Sequence, residues 1–417
     1  MSFKVVIGNS QEWDPEKAIR NCLSNLGNES GDPSFLLFFS TIHYKKNNGF
    51  KRMLNLVYST FSDSVPLIGG TVAGFMNNFG VYTRGVMIVA CYSDKIKVEL
   101  SRGSGLKSNP KKAVSKLVSG FKNSIANDFL FVVNSGGKVP FIPFLKQGRA
   151  VNSKIIGRIE SFFLPYILKY FQFGVGREEE ALQELKEITP SANIFSIATM
   201  DNNNMETNFQ FYNKEITTNE ILALKVSSDY EFFISTVHGL QETPIKFKIT
   251  DKSKDSRVIK KLNGKSAKEE FLSSLGWPKE YINEQVYKKV FFYPLLYKKD
   301  GIGHPFIAGL FLGDNIIPTI KVDDNNLCLM STSGKLLLGV VDEVLDKIPR
   351  KPKFIIIAEC GIRCQTLGKG LFKVREKIIN KFGPVPFISL YVGAEGTYSP
   401  NTGVAFGSDT FNIIAFL

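Results

Sequence analysis

The sequence predicts an α/β fold made of two related mixed lobes, each built from strand-helix-strand units. Three observations carry this reading. An apolar strand, a helix and a second apolar strand occur in that order near the start, and the same order returns near the end. A further strand pair lies between them. At 417 residues the chain also exceeds the usual size of one domain. The expected lobes are 1–230 and 231–417.

Asp14-Pro15 signals a helix start, with an apolar face of Ile19, Cys22, Leu23 and Leu26 and a stop at Gly27. Residues 34–40 form an apolar run without alternation, as a strand buried on both faces requires. Met53, Leu54, Val57, Tyr58 and Phe61 then repeat at helical spacing, and Val65-Pro66-Leu67-Ile68 opens the next strand. The C-terminal copy has a strand over 354–358, a helix bearing Leu371, Val374, Ile378 and Phe382, and the strand Val385-Pro386-Phe387-Ile388. Between the copies, 129–133 and 194–199 read as strands joined by helical stretches at 152–173 and 177–188, outlining a third unit. Segments 81–94 and 216–229 echo one another, each placing a polar turn before an apolar strand. Ser266 with Glu269 makes a capping box for a helix ending at Leu275-Gly276, and Asn263-Gly264 just upstream is a turn signal.

Hydrophobic residues make up 43% and charged residues 22%, ordinary globular usage, while the 35 phenylalanines point to a Phe-rich core. The opening residues lack the apolar stretch of a signal peptide, and no apolar run approaches the roughly 20 residues of a membrane helix, so a cytoplasmic protein is expected. The cysteines, Cys22, Cys91, Cys328, Cys360 and Cys364, are scattered as free thiols are. The net charge of +13 comes from short separate groups such as Lys45-Lys46 and Lys260-Lys261, which read as a solvated surface and not as a nucleic-acid footprint. The aromatic segment from Ile159 to Phe173 is interrupted by Glu160 and Lys169 and reads as a core helix in preference to a membrane anchor.

Common enzyme signatures fail. Gly264-Lys265-Ser266 lacks the first P-loop glycine, Ile259 standing in its place, and Gly103-x-Gly105 and Gly174-x-Gly176 lack the third glycine of a dinucleotide site. The histidines are His43, His238 and His304, too few for a rich metal or triad centre. Cys360 follows an apolar strand, where α/β sheets place binding groups. It reads either as a small buried thiol or as a thiolate activated by Arg363 and a helix N-terminus.

Several stretches together resemble the FIST family, the F-box and intracellular signal transduction proteins. Residues 65–74, ending Gly69-Gly70-Thr71-Val72-Ala73-Gly74, look like its N-terminal strand and glycine turn. Thr236-Val237-His238-Gly239, Lys248-Ile249-Thr250 and residues 258–267 follow the order of its C-terminal half. Cys360-Gly361-Ile362-Arg363 looks like its C-x-x-R turn, and 387–396 like its terminal strand and Gly-Glu turn. Departures fall on polar positions: Phe75 follows Gly74, Ala394 separates Gly393 from Glu395, and Ser408 stands where asparagine is common.

The resemblance implies a small-molecule sensor whose ligand is an amino acid or a derivative, read out by a separate signalling protein. On it, Gly69, Gly70, Thr71, Cys360, Arg363 and Glu395 are the expected ligand-binding residues, with Arg363 pairing a ligand carboxylate and Glu395 accepting from an ammonium. Some bacterial relatives bind haem, for which His238 would be the axial candidate and a disfavoured one. The alternatives are an enzyme with Cys360 as nucleophile and an interaction scaffold without a small ligand.

Overall fold

The structure is a computed structural model and describes residues 3–27, 31–139, 150–151, 153–166, 176–283, 285–299 and 301–417. The first part of the chain runs β1 (Lys4–Ser10), α1 (Pro15–Asn25), β2 (Phe35–Ser40), α2 (Gly49–Thr60), β3 (Leu67–Thr71), the hairpin β4 (Gly74–Asn77) and β5 (Gly80–Tyr82), and β6 (Val86–Tyr92). The order then repeats: β7 (Ile96–Ser104), α3 (Pro110–Ser119), β8 (Phe129–Asn134), the short β9 (Ala150–Val151), α4 (Lys154–Tyr166), α5 (Glu178–Ile188), β10 (Asn193–Ala198), the hairpin β11 (Gln210–Tyr212) and β12 (Glu215–Thr217), and β13 (Glu220–Ser228).

The third copy starts with β14 (Phe232–His238) and is interrupted by an insertion. That insertion comprises β15 (Leu240–Lys252), β16 (Ile259–Leu262), β17 (Lys265–Ser266), α6 (Ala267–Ser274), α7 (Val286–Val290), β18 (Leu295–Lys299), β19 (Ile302–Phe306), β20 (Ala308–Leu312), β21 (Asn315–Pro318) and β22 (Asn326–Thr332). The copy resumes with α8 (Gly334–Lys347), β23 (Phe354–Cys360), α9 (Gly361–Leu367), α10 (Gly370–Phe382), β24 (Phe387–Val392), the hairpin β25 (Ala394–Ser399) and β26 (Gly403–Gly407), and β27 (Thr410–Phe416).

Mixed α/β structure is therefore present throughout, and the strand-helix-strand unit occurs three times, the middle copy where the sequence outlined a third unit. Among the described residues the strands form three six-stranded sheets and one of nine strands, the last made by the insertion and β9. In each unit the second and third strands are parallel, β2 with β3, β8 with β10 and β23 with β24. The last strand runs antiparallel between the first and the second.

The hairpins are exchanged in a cycle. β4–β5 extends the third sheet beside β24, β11–β12 extends the first beside β3, and β25–β26 extends the second beside β10. Strand pairs thus tie residues on both sides of position 230.

Burial follows from the parallel pairs, which are covered on both faces. The inner faces meet in one core holding Phe35, Phe39, Phe129, Phe131, Phe195 and Phe416, the Phe-rich centre expected from composition. Outer faces lie under helices, Leu36, Phe38 and Leu67 beneath α1 and α2, and Ile355, Ile357 and Phe387 beneath α8 and α10.

Local signals act as their chemistry predicts. Asp14 caps α1 by accepting from Lys17 N at 2.9 Å, and Ser266 caps α6. Asn263 and Gly264 take φ of 50° and 82° between β16 and β17.

The units share one packing device that sequence reading missed. A Cβ on Gly8 would fall 2.0 Å from Cys22 O of α1, one on Gly103 1.8 Å from Ala113 O of α3, and one on Gly239 2.9 Å from Leu337 of α8. Glycine within the first strand, or just after it in the third unit, lets the chain approach its helix backbone to backbone. Gly103→Ala is expected to destabilise the fold by roughly 1–3 kcal/mol through overpacking, read as a lower urea midpoint at constant slope.

The segment read as a core helix behaves differently over its described part: Ile159, Phe162 and Phe163 are exposed on α4. Residues 167–173 of that segment, and Gly174, lie outside the described residues. No helix among the described residues is long and apolar enough to cross a membrane.

Candidate functional site

The third strands of the units converge at their carboxyl ends. Met200 N donates to Thr71 O at 2.8 Å, Ala73 N to Tyr391 O at 2.9 Å and Gly393 N to Ala198 O at 3.0 Å, a cycle of bonds from each unit to the next. Ligands of α/β sheets bind beyond such ends. Between the second and third units a cavity of about 80 Å³ opens there, with the insertion as its cover. Phe291, Ile307 and Ile320 of the insertion face Met200, Met205 and Ile362 across it.

Short-range hydrogen bonds fix the walls. Asp201 accepts from the backbone N–H groups of Asn204, Met205, Glu206 and Thr207 at 2.8–3.3 Å, wrapping the loop after β10 around one carboxylate and bringing Met205 to the cavity. Thr199 Oγ1 donates to Asn208 Oδ1 at 2.8 Å and accepts from Gly136 N at 3.2 Å, which ties the loop after β8 to the same wall. Arg257 of the insertion is buried against Glu179, Nη2 to Oε1 at 2.8 Å, and also pairs with Glu180. These bonds anchor the insertion to the start of α5.

Glu178, the first residue of α5, lines this cavity and a second chamber of about 20 Å³. Glu178, Ile320, Ala394 and Gly407 border both. Glu178 is half-buried and lines the cavity. Burial, then the charge of Glu179, pushes its carboxyl up to about 7 against the pull of Lys107 and Arg257. Its carboxylate folds back onto Gly176, where a Cβ would lie 1.8 Å from Oε1. The signal for this residue was the Glu178-Glu179-Glu180 run after Gly176, but acidic residues also suit any helix N-terminus, so the run alone named no site.

The expected binding residues separate. Gly69 and Gly70 sit inside β3, paired with Phe38 and Phe39 on one side and with Phe211 and Gln210 on the other, so the sheet takes up their backbone groups. Thr71 is bonded to Phe209, its N–H to the carbonyl at 2.9 Å and its Oγ1 accepting from the N–H at 3.0 Å. Cys360 lines the cavity at 4% exposure, and Glu395 lines the smaller chamber.

Arg363 requires a correction. It is fully buried beneath α8, its Nε donating to Glu359 Oε2 at 2.9 Å and its Nη2 to Leu337 O at 3.0 Å, and it does not line the cavity. The expected activation of Cys360 by Arg363 also fails: burial, then Glu395 and Asp409, push the thiol well above its usual range.

His238, the disfavoured haem candidate, borders another opening, walled by Thr236, Val237, Ile302, Glu343, Phe406 and Thr410, and does not line the cavity.

Asp409 neighbours these groups with φ of 59°, fully buried, and neither carboxylate oxygen has a partner among the described residues. Burial raises it to about 7, with Arg363 pulling down. The native state then holds a proton that the unfolded chain releases near pH 4, so stability falls as pH rises from about 4 to about 7 and flattens above that. Asp409→Asn, which tolerates the left-handed backbone, is expected to raise stability at about pH 8 and to flatten the profile, as read by urea unfolding across pH.

Residues 34–265 match the family model of the FIST N domain, more than half of the chain. The protein belongs to the FIST family, a family of signal-transduction domains. No curated protein matches the chain. A solved structure described as a cyanuric acid hydrolase from A. caulinodans aligns over 99% of both chains at 8% identity with a TM-score of 0.31, a likeness too slight to carry an argument.

Proposed function

We propose that this protein is a small-molecule sensor whose ligand occupies the covered cavity between the second unit, the third unit and the insertion. The observation that carries the reading is the position of that cavity. It lies where three segments far apart in sequence meet, so a ligand touching all of them would be coupled to their packing. The walls come from the loop after β10, the turn after β23 and the insertion. Its volume of about 80 Å³ corresponds to a ligand on the order of six to eight non-hydrogen atoms, the size of a small amino acid or a derivative. The bound state would be read by a separate signalling protein in the cytoplasm. Neither a membrane nor a nucleic acid is part of the proposal.

A thermal-shift screen of the purified protein against amino acids, the corresponding amines, nucleotides and haem tests this, because a ligand that binds only the folded state raises the midpoint. A saturable rise with a small, partly apolar compound is the expected result. No rise with any compound would remove the sensor reading and favour a scaffold.

A further inference from the structure

The insertion carries a second chemical feature, and neither of its two residues lines the cavity. On β15 and β22, Lys246 and Cys328 are directly opposed partners, placed where the register of β15 shifts between Glu242 and Lys246. Opposed partners of an antiparallel pair point to one face of the sheet. Here the side chains meet: Lys246 Nζ donates to Cys328 Sγ at 2.8 Å. That is the length of an N–H···O bond, although sulfur is the larger atom. The thiol donates its own hydrogen to Leu329 O at 3.4 Å, so the sulfur presents a lone pair to the lysine.

The surroundings suit a reaction with an oxidant. Cys328 is 7% exposed but lines an open groove of about 480 Å³ with Lys246, Lys248 and Lys298, which gives a small molecule a way in from solvent. Glu242 Oε2 accepts from Lys246 Nζ at 2.9 Å and can take the proton that the ammonium must shed before its nitrogen forms a bond. The other cysteines are poorly set for the same chemistry. Burial pushes the thiols of Cys22, Cys91, Cys360 and Cys364 up, so they resist forming the thiolate that attacks an oxidant.

We propose that Cys328 and Lys246 form an oxidative cross-link, a covalent sulfur–oxygen–nitrogen bridge between β15 and β22, with hydrogen peroxide as the oxidant. The thiol attacks one peroxide, whose O–O bond breaks, and sulfenic acid and water result. The lysine amine then bonds to the sulfenic oxygen. The sulfenic acid gives up its hydrogen and the amine gives up one of its two. A second peroxide takes both hydrogens with the two electrons and leaves as two waters. In sum, one thiol, one amine and two peroxides give one bridge and three waters. At 2.8 Å the sulfur and nitrogen already stand where one oxygen at single-bond lengths can span them, whereas a direct sulfur–nitrogen bond needs them drawn closer. The bridge joins positions 82 apart in sequence, so it restrains the unfolded chain and ties two strands of the insertion that covers the cavity.

The test is peptide mass spectrometry of the full chain after treatment with peroxide. The wild type is expected to yield a linked peptide pair joining Cys328 to Lys246, heavier by one oxygen and lighter by two hydrogens, which dithiothreitol separates. The linked protein should unfold at a higher urea midpoint than the reduced protein. Lys246→Arg keeps the positive charge but offers no amine, so its Cys328 should stop at sulfenic acid and be trapped by dimedone. Sulfinic acid at Cys328 beside an unmodified Lys246, formed equally fast in the wild type and in Lys246→Arg, overturns the cross-link. A linked pair that has lost two hydrogens without gaining oxygen overturns the oxygen bridge. A Cys328 that stays a free thiol in the folded protein, while the same peroxide oxidises it in the urea-unfolded chain, overturns the proposal as well.

Discussion

Replacing Arg363 with alanine is expected to destabilise the protein by about 3–5 kcal/mol, the usual consequence of breaking a buried ion pair from one side. Glu359 would keep the bond it accepts from Ser389 at 2.8 Å but lose its cation in a site with no exposure, and Leu337 O would lose its donor. Urea unfolding should show a lower midpoint at an unchanged slope. The double variant Glu359→Leu with Arg363→Met should recover much of the loss, because two apolar groups of similar length need no partner. If Arg363→Ala unfolds as the wild type does but loses ligand affinity, then Arg363 binds ligand and its assignment to the core is wrong.

Ala394→Phe is expected to weaken ligand binding by at least about a hundredfold without loss of the fold. Ala394 opens β25 and lines the cavity, so a benzyl group there enters the space that a ligand would fill. The partners of its neighbour Glu395 are left in place. The readout is the ligand-induced thermal shift beside the melting point of the free protein. An unchanged shift would place the ligand elsewhere on the molecule.

The repeat was legible because it is written in apolar periodicity. The runs at 34–40 and 354–358 and the helical spacing that follows each became β2 with α2 and β23 with α10. Even the echo of 81–94 in 216–229 has a structural meaning, since these are the returning strands β6 and β13 with the turns before them. The exchange of hairpins was not legible, because a short strand such as Gly74–Asn77 pairs with Ile388–Tyr391 across more than three hundred residues and nothing local records the partner.

The site was legible only in part, for a related reason. Cys360 and Glu395 follow or begin strands, a position that sequence can assign, and both line the chambers. Arg363 was expected at a ligand carboxylate on the resemblance of Cys360-Gly361-Ile362-Arg363 to the family's turn, and its partner Glu359 was hidden in the strand just before it. The insertion could not be recognised as a cover, because Phe291, Ile307 and Ile320 read as ordinary core residues until the units are assembled around them.

Methionine methyl groups give the most direct test of where a ligand sits. Of the seven methionines, Met200 and Met205 line the cavity, while Met53, Met76, Met87 and Met330 are buried elsewhere. With carbon-13 in the methionine methyls, titration with a compound that raises the melting point should move the Met200 and Met205 resonances saturably and leave the other four in place. Saturable movement of the other methyls with Met200 and Met205 unchanged would contradict the cavity as the sensing site.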